Sequence, residues 1–173
     1  MDVLDAIQGR RSIRAFNGRN ISSEELMTIL DAGRRAPSAG NIQPWEFVVI
    51  RDPARKKALA QAALNQSFIA EAPAVVVVCA NLIRSAAGYG GRGANLYCLQ
   101  DTAAAVQNML LASHGMGLGA CWVGAFDERR VAQLIDAPEE IRPIAIVPIG
   151  HPDERPTARR SRSLEEVVHY ESL

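Results

Sequence analysis

The chain has little lysine, no excess of charge of either sign and no long apolar run. Only Lys56 and Lys57 are lysines among its 19 basic residues, and 19 acidic residues bring the formal net charge to zero. A neutral protein exerts no overall attraction on polyanions, which argues against a general nucleic-acid-binding protein. No apolar run approaches the ~20 residues that span a bilayer, and the N-terminus lacks the apolar segment of a signal peptide. We therefore expect no membrane association.

Cysteine is scarce and widely spaced. Cys79, Cys98 and Cys121 form no CxxC pair, and the first and third lie in apolar runs, where buried thiols are common. Structural disulfides and a zinc site are both disfavoured, which predicts a reducing compartment, the cytoplasm. No serine, cysteine or lysine has a base beside it at a known motif spacing, so covalent catalysis by the protein has no support.

The composition predicts one globular domain over residues 1–173. Apolar residues make up 48% of the chain and charged residues 22%, close to the average for soluble globular proteins. Apolar periodicity, capping residues and turn formers predict the elements. Helices are predicted over 3–9, 22–35, 53–64, 96–116 and 127–135, strands over 46–51, 74–80, 120–124 and 144–149, and loops over 37–44 and 83–94.

An arginine-rich segment, residues 10–14, is the strongest local signal for binding. It places three guanidinium groups and one hydroxyl group within five residues, directly after a short predicted helix. In extended backbone Arg10, Ser12 and Arg14 point the same way, an arrangement that holds an anion. A second arginine cluster lies in the polar tail and comprises Arg159, Arg160 and Arg162. The two clusters can converge on one phosphate; a solvated basic corner is the alternative interpretation.

The loop 37–44 is the second candidate for a binding element. Pro37 and Pro44 bracket it and restrict its backbone, and Ser38, Asn41 and Gln43 supply a hydroxyl group and two side-chain amides. Such groups on a stiff loop can hydrogen-bond a flat heterocycle or a polyol chain. A simple connector between a helix and a strand remains the alternative.

The G-x-G-x-x-G pattern of dinucleotide-binding proteins occurs at 88–93. The match is weak, because the pattern requires a tight turn directly after a strand and the predicted strand ends well before Gly88. No second strand ending in an acidic residue follows at the required distance. We interpret this stretch as a flexible loop near the active site, and an NAD-binding Rossmann domain is only a third alternative.

Four sequence blocks together resemble the nitroreductase family of FMN-dependent oxidoreductases. They are 10–16 (RRSIRAF), 36–45 (APSAGNIQPW), 117–124 (GLGACWVG) and 164–168 (LEEVV). The blocks span nearly the whole chain in the family's order. The resemblance implies an α+β fold with three α/β/α layers and a central mixed, mainly antiparallel sheet. It also implies an obligate homodimer with FMN at its interface and a tail, 151–173, that docks on the partner subunit.

The resemblance assigns the arginine-rich segment to one side of the flavin. Arg10, Ser12 and Arg14 are expected to hold its phosphate, ribityl and pyrimidine side, and Arg160 and Arg162 to complete the phosphate site. Some relatives carry a basic residue shortly after the position of Asn65, whereas 66–68 contain none. Arg14 is therefore expected to balance alone the negative charge that the flavin gains on reduction.

Further contacts are implied on the other side of the flavin. The partner subunit is expected to contribute Pro37, Ser38, Ala39, Asn41 and Gln43. Asn65 is expected to face the pyrimidine ring, and the backbone N–H groups of Gly124 and Ala125 are expected near flavin N5 and O4. The family varies at Arg11, which is included in the cofactor-binding set without an assigned contact. The excursion that covers the substrate pocket in the family is reduced here to 84–95.

The implied function is an oxidoreductase that passes hydride from NADH or NADPH through FMN to a small acceptor such as a nitroaromatic or a quinone. No catalytic side chain and no metal are expected, because the flavin carries the redox chemistry. The alternative from another class is a non-catalytic carrier of flavin or nucleotide. The sequence leaves open the physiological acceptor and the choice between NADH and NADPH.

Overall fold

A four-stranded antiparallel sheet forms the centre of the computed structural model, which describes all 173 residues. The strands are β1 (Trp45–Ile50), β2 (Ala74–Asn81), β3 (Gly119–Ala120) and β4 (Ile141–Gly150), and they lie in the order β1-β2-β4-β3. Residues 74–80 of β2 are fully buried, as expected for an apolar strand covered on both faces. Trp45 pairs with Ala80 at one end of the sheet, and Ala120 pairs with Ile149 at the other.

Seven α-helices surround the sheet. They are α1 (Val3–Gly9), α2 (Ser23–Arg34), α3 (Pro53–Ala62), α4 (Phe68–Glu71), α5 (Leu82–Arg92), α6 (Cys98–Gly115) and α7 (Glu128–Leu134). A 3₁₀ turn at Ala39–Asn41 and a π-helical turn at Gly93–Tyr97 complete the set. The predicted capping box of Ser22 with Glu25 starts α2, and the side chains of Asp52 and Asp127 cap α3 and α7.

The helices form two layers, one on each face of the sheet. On one face Leu59 and Ile69 pack with Val131 beneath Val75 and Val77. On the other face Ile29 and Met109 pack against alternate β2 side chains such as Val76. The predicted three-layer α+β fold is therefore confirmed. The mixed character of the sheet is slight, because every ladder is antiparallel and one isolated bridge, between Ser12 and Ala120, is parallel.

The loop predicted over 83–94 is wrong, because this stretch is helical and leads through the π-helical turn into α6. The side chain of Asn81 caps the first turn through the N–H of Arg84 at 2.9 Å, and the Ser85 hydroxyl donates to the Gly93 carbonyl at 3.0 Å. A Cβ on Gly93 would stand 2.2 Å from the Ser85 carbonyl oxygen. Close packing therefore requires this glycine, and flexibility does not explain it.

One other predicted element differs in the structure, and the tail adds no regular element. The strand expected over 120–124 is reduced to β3, with Val123 joined to Ile146 only by an isolated bridge. Residues 157–173 of the tail form no regular element and are exposed in the single chain. No helix combines the length and the apolarity that crossing a membrane requires.

Candidate functional site

The arginine-rich segment runs along the free edge of β3. The N–H of Ile13 donates to the carbonyl of Ala120 at 3.0 Å, and Ser12 pairs with the same residue. Ile13 is buried against Gly119, where a Cβ would lie 2.7 Å from the Ile13 side chain. Because side chains alternate in extended backbone, Ser12 and Arg14 lie on the side opposite to Ile13. Ser12 and Arg14 thus share one side, whereas Arg10 lines a cavity together with Ile13, so a common side for all three residues stays a prediction.

Glu154 fixes the backbone of this segment. Its carboxylate oxygen Oε1 accepts hydrogen bonds from the N–H groups of Arg14 and Ala15, the latter at 3.0 Å. The N–H of Asp153 donates to the Ala15 carbonyl at 2.9 Å and extends the same contact. Sequence reasoning missed Glu154, because the partners stand 140 residues apart and no local pattern marks the glutamate.

The guanidinium groups of the segment have no carboxylate partner. None of Arg10, Arg11, Arg14 and Arg155 forms an ion pair; Arg11 donates only to backbone carbonyls. Arg10, Arg11 and Arg155 line a cavity of about 350 Å³ together with Ile13 and Glu154, and Ser12 and Arg14 do not line it. The Arg14 guanidinium lies 5.9 Å from the centre of the Phe68 ring, within cation–π range. Unneutralised cations beside an open cavity are suited to an anionic ligand.

The buried thiol of Cys121 lies beneath this cluster. Burial raises the pKa of the thiol, while the charges of Arg14 and Arg10 and the hydroxyl of Ser12 act in the opposite direction. The balance keeps the thiol protonated, and a thiol is a much weaker nucleophile than a thiolate. The arrangement therefore assigns no covalent role to Cys121.

A turn after α3 and the segment after Cys121 meet beside the arginines. The Gln66 amide donates to the carbonyls of Ala63 at 2.9 Å and Ala125 at 3.2 Å. Asn65 lies between them in a left-handed conformation, with φ of 60°, and its side chain is exposed. Gly124 and Ala125 are exposed residues, and their N–H groups donate to no acceptor within the chain. The structure thus brings Asn65 close to two free backbone donors.

The loop 37–44 is held by hydrogen bonds, one of which comes from Asp101 of α6. Asp101 Oδ1 accepts a hydrogen bond from the Ala39 N–H at 3.1 Å, and the Ser38 hydroxyl accepts one from the Gln43 N–H at 3.0 Å. The Gln43 amide donates to Asn41 Oδ1 at 3.2 Å. Pro37, Asn41 and Gln43 are exposed, and φ is 55° at both amide residues.

Asp101 itself is 7% exposed, and its second oxygen, Oδ2, has no hydrogen-bond partner. Burial raises the pKa of this carboxyl group, and the Ala39 N–H opposes the shift. The carboxyl group is the buried anchor of the loop, which is a structural role.

The loop and the arginine-rich segment lie at opposite corners of the sheet. The loop precedes Trp45 on β1, whereas Ser12 pairs beyond β3 at the other edge, four strand spacings or about 19 Å away. The two elements are also separated along the strands. On β4, Arg142 lies at the height of the loop and Ile149 lies at the height of Ala120, and these two positions are roughly 20 Å apart. One chain does not bring the two predicted halves of the site together.

The tail arginines are not brought to the segment either. Arg160 is exposed and forms no hydrogen bond or ion pair, and Arg162 donates to the Glu166 carbonyl within the tail. Their place in a phosphate site stays a prediction.

The donor set fits FMN. A dianionic phosphate requires cations without acidic partners, which Arg10 and its neighbours supply. The edge of a flavin ring presents carbonyl oxygens and ring nitrogens, which the free N–H groups of Gly124 and Ala125 and the exposed amide of Asn65 can bond. The chemistry of the residues therefore agrees with the cofactor that the sequence blocks imply.

Comparison with known proteins gives the same assignment. The profile of the Nitroreductase family matches residues 7–79 and 60–151. An NADH dehydrogenase from Thermus thermophilus is 34% identical over 97% of this chain and 95% of its own length. Nitroreductase A from Vibrio parahaemolyticus superimposes with a TM-score of 0.92 at 30% identity, over 100% of this chain and 77% of that one. The NADPH:FMN oxidoreductase from Vibrio harveyi, solved with NAD⁺, superimposes with a TM-score of 0.91 at 29% identity, over 99% of this chain and 77% of that one.

Proposed function

The chain belongs to the nitroreductase family, and we propose that it is an FMN-dependent oxidoreductase that uses NADH or NADPH to reduce a small organic acceptor, such as a nitroaromatic or a quinone. The names of its relatives, which include a nitroreductase and an NADPH:FMN oxidoreductase, support the cofactor and the reductant. The observation that carries the proposal is that the guanidinium groups of the arginine-rich segment have no carboxylate partner, while the N–H groups of 124–125 donate to no acceptor within the chain.

FMN, when bound, supplies hydride exchange at its N5 atom, so the protein needs no nucleophile of its own. Arg10, Ser12 and Arg14 would hold the phosphate and ribityl side, with Arg160 and Arg162 joining from the tail. Asn65 and the N–H groups of Gly124 and Ala125 would orient the ring. Pro37, Ser38, Ala39, Asn41 and Gln43 would approach from a second chain.

The separation of the two elements supports a homodimer. Opposite corners of one sheet, on the order of 30 Å apart, are farther apart than one mononucleotide reaches, so a shared FMN requires the loop of one chain and the arginines of another. Apolar side chains left exposed on α1 and in the tail supply surface that a partner can cover. They are Val3, Leu4, Ile7, Leu164, Val167, Val168 and Tyr170. In this proposal residues 1–173 form one FMN-binding domain and 151–173 dock on the partner.

The overall reaction balances without an acid on the protein. Reduction of a nitro group to a nitroso group takes two electrons and two protons and releases water. NAD(P)H supplies two electrons and one proton as hydride, and the second proton comes from solvent, to which Asn65, Gly124 and Ala125 are open. The three cysteines are free thiols, which supports a reducing cytoplasmic location.

Anaerobic absorbance spectroscopy of the purified protein tests the proposal. Bound FMN should lose its visible absorption when NADH or NADPH is added and recover it when a nitroaromatic or a quinone follows. A flavin that stays oxidised after both nucleotides would favour a non-catalytic carrier instead. Failure to bind FMN at any concentration would contradict the cofactor assignment.

A further inference from the structure

The kinked end of α5 places Tyr89 beside the loop 37–44, and Tyr97 follows at the end of the π-helical turn. Tyr89 and Gly90 depart from helical geometry, with φ of −138° and 54°. The Tyr89 hydroxyl lies against Gly40, where a Cβ would be only 2.7 Å away, and Gly40 itself has φ of 55°. The rings of Tyr89 and Tyr97 meet edge to face with their centres 5.1 Å apart. The kink therefore fixes an aromatic surface on the loop.

Arg92 completes this surface with a positive charge. Its guanidinium group lies 5.2 Å from the centre of the Tyr97 ring, and its Nε donates to the Tyr97 hydroxyl at 2.9 Å. Arg92 has no carboxylate partner, although it is exposed. Its two terminal nitrogens carry no hydrogen bond within the chain, so they form a free fork of the shape that pairs with a carboxylate.

We propose that Tyr89, Arg92 and Tyr97 select the electron acceptor and that they favour a flat ring that carries a carboxylate or a similar anionic group. This inference rests on the proposed function, because it assumes that the loop 37–44 approaches a bound flavin. The aromatic surface, named here the Tyr89–Tyr97 cluster, packs a planar ring. The terminal nitrogens of Arg92 then bind the anionic substituent.

The chemistry of the cluster favours an anionic aromatic acceptor over a neutral one. A neutral ring gains only the contact with the tyrosines, whereas an acidic ring also gains a charge-assisted pair of hydrogen bonds. Arg84, the other arginine on α5, donates its Nε to the Ile42 carbonyl at 2.6 Å. Arg92 is the arginine of this helix whose guanidinium group lies against the ring of Tyr97.

The test compares two acceptors of nearly equal shape, 4-nitrobenzoate and 4-nitrobenzamide. Steady-state rates are measured with the FMN-loaded enzyme and NADH or NADPH. The wild-type enzyme should show the higher kcat/KM with the acid. R92M should lower kcat/KM for 4-nitrobenzoate about tenfold and leave 4-nitrobenzamide within about twofold. R92K keeps a positive charge but lacks the forked pair of nitrogens, so its kcat/KM for 4-nitrobenzoate should lie between those of the wild type and R92M.

The matched control is K57M, which removes one exposed positive charge on α3 and changes the net charge equally. It should leave kcat/KM unchanged for both acceptors. FMN content and thermal stability show whether each variant is folded. Should R92M fold poorly, Y97F removes only the hydroxyl that holds Arg92 and should lower the preference for the acid.

Three results would overturn the inference. They are an equal fall in kcat/KM for both acceptors in R92M, an unchanged kcat/KM for both acceptors, and a fall confined to kcat/KM for the nicotinamide nucleotide. The last result would assign Arg92 to the phosphates of the reductant. If the wild-type enzyme binds FMN but reduces neither nitro compound nor a quinone, the proposed function itself fails.

Discussion

Glu154 accepts a hydrogen bond from the backbone N–H of Arg14 and so joins the start of the tail to the arginine-rich segment. The same oxygen binds the N–H of Ala15. The carboxylate thereby holds the backbone of this segment while leaving its guanidinium groups free. The tail that carries Arg160 and Arg162 begins at the same contact, so the two parts of the predicted phosphate site share one anchor.

Replacement of Glu154 should weaken FMN binding through the backbone. E154A removes the acceptor of two N–H groups and should cost about 1.5 to 3 kcal/mol of FMN affinity, roughly tenfold or more. E154Q keeps an acceptor oxygen and should retain most of the affinity. Fluorescence titration of apoprotein with FMN measures both. D153N is the control, because the Asp153 side chain makes no hydrogen bond. Equal affinities in E154A and wild type would contradict the anchoring role.

Arg10 should recognise phosphate specifically. R10A removes an unneutralised cation that lines the cavity and should weaken FMN about tenfold, with riboflavin, which lacks the phosphate, bound equally by both proteins. R162A should give the same pattern if the tail completes the site. Calorimetric titration with the two flavins measures the difference. An equal loss of affinity for FMN and riboflavin would indicate a structural defect and would contradict the assignment of Arg10 to the phosphate site.

Much of this architecture follows from local sequence patterns, and the reasons for the failures are equally physical. The buried run of β2 and the capping box of α2 are local signals, so both elements were predictable. The glycines of α5 predicted a loop, because sequence alone does not show that Gly93 lies against the Ser85 backbone. The candidate site residues were named from local motifs and stay a prediction, whereas Glu154 and Asp101 act across long separations that leave no periodic trace.

Asp101 should make the stability of the protein depend on pH. Its pKa is raised by burial above 3.8, so its contribution to folding is complete below that value. The contribution is lost as pH rises from about 3.8 through the raised pKa, because the charged form is disfavoured in the folded chain. D101N cannot ionise and keeps an acceptor for Ala39, so its stability relative to wild type should rise over that interval. Denaturant unfolding from pH 4 to 7 measures this change. A difference in unfolding free energy between D101N and wild type that stays constant with pH would contradict this prediction. The control is S113A, which changes another buried polar side chain on α6.

Subunit mixing should show that each flavin site is built from two chains. R10A and N41A each damage one of the two separated elements, so each homodimer should lose FMN affinity at both of its sites. In a mixed dimer, one site would combine both defects, while the other would pair an intact arginine-rich segment with an intact loop. Co-expressed, differently tagged chains should therefore bind about one FMN per dimer with wild-type affinity. If one chain supplied both elements, every site in the mixed dimer would carry a defect, and no wild-type affinity would return. The stoichiometry of tight FMN binding thus separates a shared site from two independent ones, because only a shared site lets two defective chains restore an intact one.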